Sequence, residues 1–319
     1  MKIIGHRKEK ELIKKLLDKN YDSLSLLFEG KDCIGKKLFA LYTARAYLCE
    51  KKEGFGCGEC KDCRLVNNTI SNIYEGTNLT PHYNIKIIQS ESREIKIDQI
   101  REIIDFLQLK SEKGKVVIIE KAENMNIESS NALLKTLEEP PSNSLIILTT
   151  SNQFKLLPTI LSRLKKIKFK NLSDDDIRDI LTLKGLSEEK INDFLKIADG
   201  SLCLPLVILE NENLYKYAKD IANLIINPKH PEGIFSLAKN FENLEVQQAV
   251  LVFDIIYILF SKSLSIGEIS PNLFEVFIKE YKLAKEALLK GVKKKLTLLG
   301  LYFRLTDEVK NGDSFRYKT

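Results

Sequence analysis

Cys49, Cys57, Cys60 and Cys63 crowd one short stretch, the last three within the run Cys57-Gly-Glu-Cys60-Lys-Asp-Cys63. A C-x-x-C spacing lets two thiolates bite one metal ion, and Gly58 frees the backbone to curl round it. Four thiolates satisfy tetrahedral Zn²⁺ with no open position, so the expected site is structural rather than catalytic. The alternatives are a disulfide framework and a set of free thiols. The start of the chain does not resemble a signal peptide. A cytoplasmic, reducing setting is therefore expected, which favours metal over disulfides. Cys33 and Cys203 stand apart and are expected to be buried small apolar residues.

A second segment, Gly30-Lys-Asp-Cys-Ile-Gly35-Lys36-Lys37, lies just upstream. A working phosphate loop reads G-x-x-x-x-G-K-[S/T]: backbone amides cradle phosphates, the lysine reaches the outer ones, and the hydroxyl holds Mg²⁺. Gly30, Gly35 and Lys36 fit. Lys37 takes the place of the hydroxyl, and an ammonium repels a metal rather than ligating it. The second half of an ATPase site needs a strand ending in an aspartate for the metal, then a glutamate to orient water. Val116-Val-Ile-Ile119 ends instead in Glu120-Lys121. Glu120 could still hold a metal, but Lys121, a protonated amine, cannot act as a base. The expectation is a nucleotide-binding fold with a crippled site, leaving ATP binding through Gly30, Gly35, Lys36, Lys37 and Glu120 open. The alternative is an ordinary strand–helix turn.

The elements needed to position these groups are legible. Apolar runs at Ser23 to Phe28, Ile85 to Ile88, Val116 to Glu120, Leu145 to Thr149 and Lys166 to Phe169 read as strands. Helical spacing follows in Leu38, Leu41, Ala44 and Leu48, then over Ile97 to Leu109. Asn126 is expected to cap a further helix that Pro140-Pro141 stops. Strand–helix alternation with continuously apolar strands implies a parallel sheet with helices on both faces. After about residue 170 strand signals vanish. Ser173-Asp-Asp-Asp176 opens a helix with an acidic first turn. Leu172 to Leu209 reads as a small helical unit, and Asn211 to Asn213 as a linker. Long helices follow, broken at Asn227-Pro228, at Pro231-Glu-Gly233 and at Ser270-Pro271.

At 319 residues the chain is long enough for two or three domains. A net charge of +6 permits contact with nucleic acid without demanding it. The longest apolar stretch, Ala249 to Phe260, contains Asp254 and is too short to cross a bilayer, so no membrane association is expected. Lys166, Lys168 and Lys170 alternate with Ile167 and Phe169, which exposes the lysines on one strand face. That face could meet DNA phosphate or merely be solvated.

Read in order, these residues resemble the AAA+ clamp-loader family of bacterial DNA polymerase III, on the side of its delta-prime subunits. The resemblance rests on Gly5-His6, the degenerate phosphate loop, the four cysteines, Ile97-Asp-Gln-Ile-Arg101 and Ala132-Leu-Leu-Lys-Thr-Leu-Glu-Glu-Pro-Pro141. Leu157-Pro-Thr-Ile-Leu-Ser-Arg163 looks like the family's Ser-Arg-Cys motif, with Leu164 in place of the cysteine. The match covers roughly residues 1–170. Beyond it, Gly200-Ser201 looks like a second-domain motif, and no arginine stands near Cys203, where a nucleotide-sensing one would fall. Leu79-Thr-Pro-His82-Tyr-Asn84 departs from the family's His-Pro-Asp-like segment.

The resemblance implies an AAA+ α/β core over 1–170 with the zinc module (about 49–63) inserted. A small helical lid over 171–210 and an all-α collar over 211–319 follow. It implies an accessory subunit of the holoenzyme, not an enzyme on its own, that helps to load the sliding clamp onto primed DNA. The implied partners are the gamma/tau motor subunits, the delta subunit and the clamp, with DNA met through the complex. Arg163 is implied to be an arginine finger, acting in trans on a neighbour's ATP; the alternative is an arginine that caps helix carbonyls. Rival readings are an ATP-hydrolysing motor subunit of the same loader and a zinc-dependent DNA-binding module.

Overall fold

The computed structural model describes residues 3–19, 21–74, 77, 82–89, 94–227 and 232–311. In chain order the helices and strands are α1 (Arg7–Leu17), β1 (Ser23–Glu29), α2 (Lys36–Leu48), α3 (Lys61–Tyr74), β2 (Ile85–Ile88), α4 (Ile97–Gln108), β3 (Lys115–Ile119), α5 (Ile127–Glu138), β4 (Ser144–Thr150), α6 (Pro158–Leu161) and β5 (Lys165–Lys168). Among the described residues helices alone follow: α7 (Asp174–Leu183), α8 (Glu188–Leu195), α9 (Cys203–Glu210), α10 (Glu212–Ile226), α11 (Gly233–Glu242), α12 (Val246–Ser265), α13 (Pro271–Leu289) and α14 (Lys294–Asn311). The expected strands stand within a residue or two of their boundaries.

The five strands form one parallel sheet in the order β2-β3-β4-β1-β5. Because β4 and β5 flank β1, the order in which strands are added across the sheet reverses beside it, and loops after β1, β3 and β4 gather at the strands' carboxyl ends. Ligands of open α/β sheets bind at such a switch point. β3 and β4 are buried throughout, as strands covered on both faces must be. One face packs Val117, Ile119, Ile146 and Leu148 against Ile100, Ile103, Leu133 and Leu137 of α4 and α5. On β1, Phe28 meets Phe39 and Phe169, with ring centroids 5.8 and 5.0 Å away. α2 buries Phe39 to Ala44 without a break, the mark of a helix enclosed on all sides.

The chain falls into two compact units, 1–186 with 200–202, and 187–199 with 203–319. In the second, α12 packs against α10 and α13, and α14 against α11 and α13. α12 runs for 20 residues, so the apolar stretch once expected to be too short for a bilayer is part of a helix long enough for one. Its Val252, Phe253, Ile256 and Phe260 are instead buried among the other helices, with Phe260 stacked on Phe277 at 4.1 Å.

Two further expectations need correction. Asn211 to Asn213 is not a linker: Glu212 already starts α10, and the Asn211 side chain bridges the junction by donating to the Val207 carbonyl at 3.0 Å. Cys33 and Cys203 are not buried; Cys33 is exposed at the crest of the loop after β1, with φ of 55°, and Cys203 is half-buried at the start of α9. The expected breaks at Pro228 and Pro231, and Leu79 to Pro81, lie outside the described residues. Ser270 caps α13, whose first residue is Pro271, and Asn126 caps α5 by accepting from the Ser129 amide at 2.8 Å.

Candidate functional site

The loop from Gly30 to Gly35 connects the end of β1 to the start of α2, the position a phosphate loop requires. Gly30 has no room for a side chain, since a Cβ there would lie 2.8 Å from the Phe169 carbonyl oxygen. Gly35 takes φ of 96°, which favours glycine. The loop is braced from behind. His6 Nε2 lies 2.7 Å from the Ile34 carbonyl, and Ser201 donates to the Asp32 carbonyl at 2.7 Å. The Leu202 amide reaches the Cys33 carbonyl at 3.2 Å. Gly5-His6 and Gly200-Ser201, distant in sequence, thus both serve the loop.

The loop's cations are already engaged. Lys36 turns back to donate to the carbonyls of Gly30 and Lys31, each at 2.6 Å. It is almost fully buried, and burial pushes its pKa below the usual lysine range. Lys37 Nζ lies 3.1 Å from Glu120 Oε2, both groups four-fifths buried. Thus Glu120, the residue left to hold a metal, faces an ammonium. Lys121 is exposed, with φ of 48°, and its amide donates to Thr149 Oγ1 at 3.2 Å. Glu123, a residue the sequence did not single out, ties the loops after β3 and β4 together. It accepts from the Ser151 amide at 2.9 Å and hydroxyl at 2.6 Å. Burial opposes its ionisation, but the donors from Ser151, together with hydrogen bonds from its own backbone and from Thr150, hold its pKa below the ordinary carboxylate value.

The cysteines form a second centre. Cys49 caps the C-terminus of α2, and Cys63 lies in the first turn of α3. The helix of 13 residues sets this centre about 20 Å from the phosphate loop. The four Sγ atoms lie within 4.8 Å of one another, and Cys57 Sγ is 3.9 Å from Cys63 Sγ. Tetrahedral Zn–S bonds of about 2.3 Å require sulfurs roughly 3.8 Å apart, so the set fits a metal ion. All four cysteines are free of disulfides. The Cys57 and Cys60 amides point at Cys49 Sγ and Cys57 Sγ, at 3.2 and 3.4 Å. Burial works against the Cys49 thiolate, but the Cys57 amide and the neighbouring thiols bring its pKa down to about 6. Gly56, at φ of 93°, passes so close that a Cβ would sit 2.9 Å from Cys63 Sγ. The cluster could hold a metal with no ligand position to spare.

Behind it lies a network that sequence reading missed. Asp62, between Cys60 and Cys63, is fully buried, with Oδ1 3.2 Å from His82 Nε2 and Oδ2 2.6 Å from Lys113 Nζ. Lys113 also meets Glu50 at 2.6 Å. His82 Nδ1 accepts from the Asn84 amide at 3.1 Å, so Nε2 carries the ring proton. Burial lowers the His82 pKa, although Asp62 opposes it. No local motif announces this pairing of residues from α3 and the approach to β2.

Arg163 follows α6. Its Nη1 donates to the Thr159 carbonyl at 2.6 Å and lies 3.2 Å from Ser162 Oγ, and its Nη2 pairs with Glu138. The helix-capping contact anticipated as the alternative is thus present, together with an ion pair that was not. Lys165, Lys166 and Lys168 are exposed on β5, which is the sheet's edge, while Ile167 is buried. Lys165 Nζ covers the Tyr21 ring at 3.5 Å, and Lys166 reaches Gln153 at 3.3 Å. Lysines on an edge strand also deter pairing with other chains.

Comparison with known proteins gives these sites a context. Residues 5–173 match the family described as DNA polymerase III, delta subunit. The chain is 37% identical over 140 residues to the DNA polymerase III subunit delta' of Pseudomonas aeruginosa, covering 43% of this chain and 40% of that one. It is 31% identical over 180 residues to the subunit delta' of Bacillus subtilis, covering 56% and 51%. The alignments therefore span about half the length of these curated relatives or less. Other relatives are named as DNA polymerase III subunits tau and gamma/tau. In fold, the chain is similar to a DNA polymerase III gamma subunit-related protein from Thermotoga maritima, with a TM-score of 0.52 at 20% identity, covering 94% of this chain and 99% of that one. An AAA+ core followed, among the described residues, by helices alone, and a family match over half the chain, lead to one assignment: this chain belongs to the DNA polymerase III delta subunit family, with the delta-prime subunits of the clamp loader.

Proposed function

We propose that this chain is a non-hydrolysing subunit of the DNA polymerase III clamp loader. It helps to place the sliding clamp on primed DNA in the cytoplasm, beside gamma/tau motor subunits and a delta subunit. The single observation that carries this reading is the Lys37–Glu120 pair at 3.1 Å. A tethered ammonium stands against the carboxylate that a motor subunit would offer to Mg²⁺, and Lys36 is spent on the loop's own carbonyls. Relatives named tau and gamma/tau support a setting among motor subunits. We read 1–170 as the AAA+ core, 171–210 as its lid and 211–319 as a collar through which the ring assembles. The cysteine cluster takes Zn²⁺ as a structural ion held by Cys49, Cys57, Cys60 and Cys63; thiolate softness and closed geometry favour it.

In this reading Arg163 serves a neighbour's ATP. A guanidinium facing a γ-phosphate stabilises charge that develops during phosphoryl transfer, and fingers supplied in trans are worth on the order of 10³–10⁵ in rate where chemistry is limiting. The other motor sites keep their own arginines, so the loss on removing Arg163 is smaller. The test assembles the loader with wild-type chain or Arg163→Ala and measures DNA-stimulated ATPase and clamp loading. Assembly and clamp binding are expected to persist while both rates fall. Wild-type rates would return Arg163 to helix capping.

A further inference from the structure

We propose that Glu138 is a positioning residue for Arg163, holding the guanidinium so that it is presented already folded to a neighbouring subunit's nucleotide. The inference rests on the finger reading of Arg163 and adds to it a residue of a different element.

Glu138 is the last residue of α5, and Pro140-Pro141 bars the helix from continuing. Its predecessor Leu137 is buried in the same apolar cluster as Ile160 and Leu164, the residues of α6 and its exit that bracket Arg163. Both backbones are therefore pinned to one core, and only the two charged side chains reach the surface. Arg163 retains 28% of its side-chain exposure and Glu138 49%. An exposed pair of this kind adds little to folding stability. What it does is remove rotamer freedom from a long side chain before any ligand arrives, and pre-paid ordering of that sort is what a catalytic contact needs.

The hold does not saturate the fork. Of the five guanidinium donors, the contacts at Thr159, Ser162 and Glu138 use both Nη1 hydrogens and one on Nη2. Nη2 keeps a second hydrogen for a ligand, whereas Nε is buried and without a hydrogen-bond partner among the described residues, out of reach of an incoming phosphate. A phosphate oxygen can therefore be added without first breaking the Glu138 contact. Glu138 is half-exposed, so water screens the charge it sets against the arginine.

The experiment uses loader complexes assembled with wild-type chain, Arg163→Ala, Glu138→Ala, Glu138→Gln and the Glu138→Ala/Arg163→Ala double variant. DNA-stimulated ATPase is measured as kcat and KM, alongside thermal melting of each chain. Glu138→Ala is expected to lower kcat roughly threefold to tenfold with KM for ATP unchanged. Glu138→Gln, whose amide oxygen still accepts from Nη2, is expected to recover most of the rate. The double variant is expected to match Arg163→Ala, because Glu138 acts only through the arginine. If Arg163→Ala is fully active, the finger reading itself fails. If Arg163→Ala is impaired but Glu138→Ala is not, that reading stands and the positioning role falls. A faster Glu138→Ala complex would make the carboxylate a competitor that restrains the arginine, and a further loss in the double variant would make it independent; either result overturns the proposal. Should Glu138→Ala melt early, Glu138→Gln decides: loss of rate equal to Arg163→Ala in a stable chain would also refute a hydrogen-bonded positioning role.

Discussion

At the scale of single residues, the phosphate loop is decided by Lys37. A lysine in the first turn of a helix faces the positive end of its dipole, so it needs a compensating anion, and Glu120 at 3.1 Å supplies one. Replacing Lys37 with threonine removes the tethered cation, frees Glu120 and restores a hydroxyl. Lys37→Thr is therefore expected to bind an ATP analogue in a Mg²⁺-dependent manner where the wild type shows no Mg²⁺ dependence. Fluorescence titration with Mg²⁺ or EDTA checks this, and equal behaviour of the two proteins would exclude Lys37 as the obstacle. Gly56 is decisive at the other centre. With φ of 93° and a Cβ that would lie 2.9 Å from Cys63 Sγ, Gly56→Ala is expected to cost about 1–3 kcal/mol. It should also weaken metal retention, read by elemental analysis after dialysis; a variant that keeps stability and metal would show that the loop can open to admit a methyl group.

Two elements carry both centres. α2 begins at the phosphate loop and ends at Cys49, so the sequence from Gly30 to Cys49 reads directly as loop, buried helix and first thiol. Local spacing was enough for that, because each part depends only on its chain neighbours. α3 is different. Its Asp62 is held by His82, which precedes β2, and by Lys113, which precedes β3. His82 carried no legible role, since a buried partner twenty positions away in the chain leaves no periodic trace. His82→Ala is expected to destabilise the chain by about 3 kcal/mol, through the lost ring volume and the loss of the close polar contact that the ring makes with the buried Asp62 carboxylate. Thermal melting measures the loss. Amide exchange should localise it, faster over α3 and residues 49–63 than over β1, β3 and β4. A uniform change, or none, would deny that the pair staples the cysteine module to the sheet.

For the whole molecule, the prediction is that the pure chain turns over no ATP. In the proposed reading Lys37, paired with Glu120, stands where a motor subunit has its metal-binding hydroxyl, and the exposed Lys121 stands where it has its water-orienting acid. Phosphate release is measured from the isolated chain, with Lys36→Ala as control. Steady release abolished by that substitution would restore the motor reading. With partner subunits present, turnover is expected to require them, and the Arg163 and Glu138 variants then report on a neighbour's site.

Sequence alone determined the alternation of strands and helices, the parallel sheet, the position of the loop from Gly30 to Gly35 between β1 and α2, the four clustered thiols and the helices that follow among the described residues. These follow from periodicity and spacing, which act over a few residues and survive in one dimension. It placed Arg163 in a motif but not in the grip of Glu138, because that pair joins the ends of two helices whose meeting depends on packing around Leu137, Ile160 and Leu164. It foresaw that Lys37 would repel Mg²⁺ but not that Glu120 would hold it. The pair needs β3 brought across β4 from β1, and only the strand order β2-β3-β4-β1-β5 decides that distance. Likewise Cys33 and Cys203 read as core residues by type, whereas the turn after β1 and the start of α9 leave one exposed and the other half-buried. Residue type sets a preference for burial; the path of the backbone sets whether there is anything to be buried against.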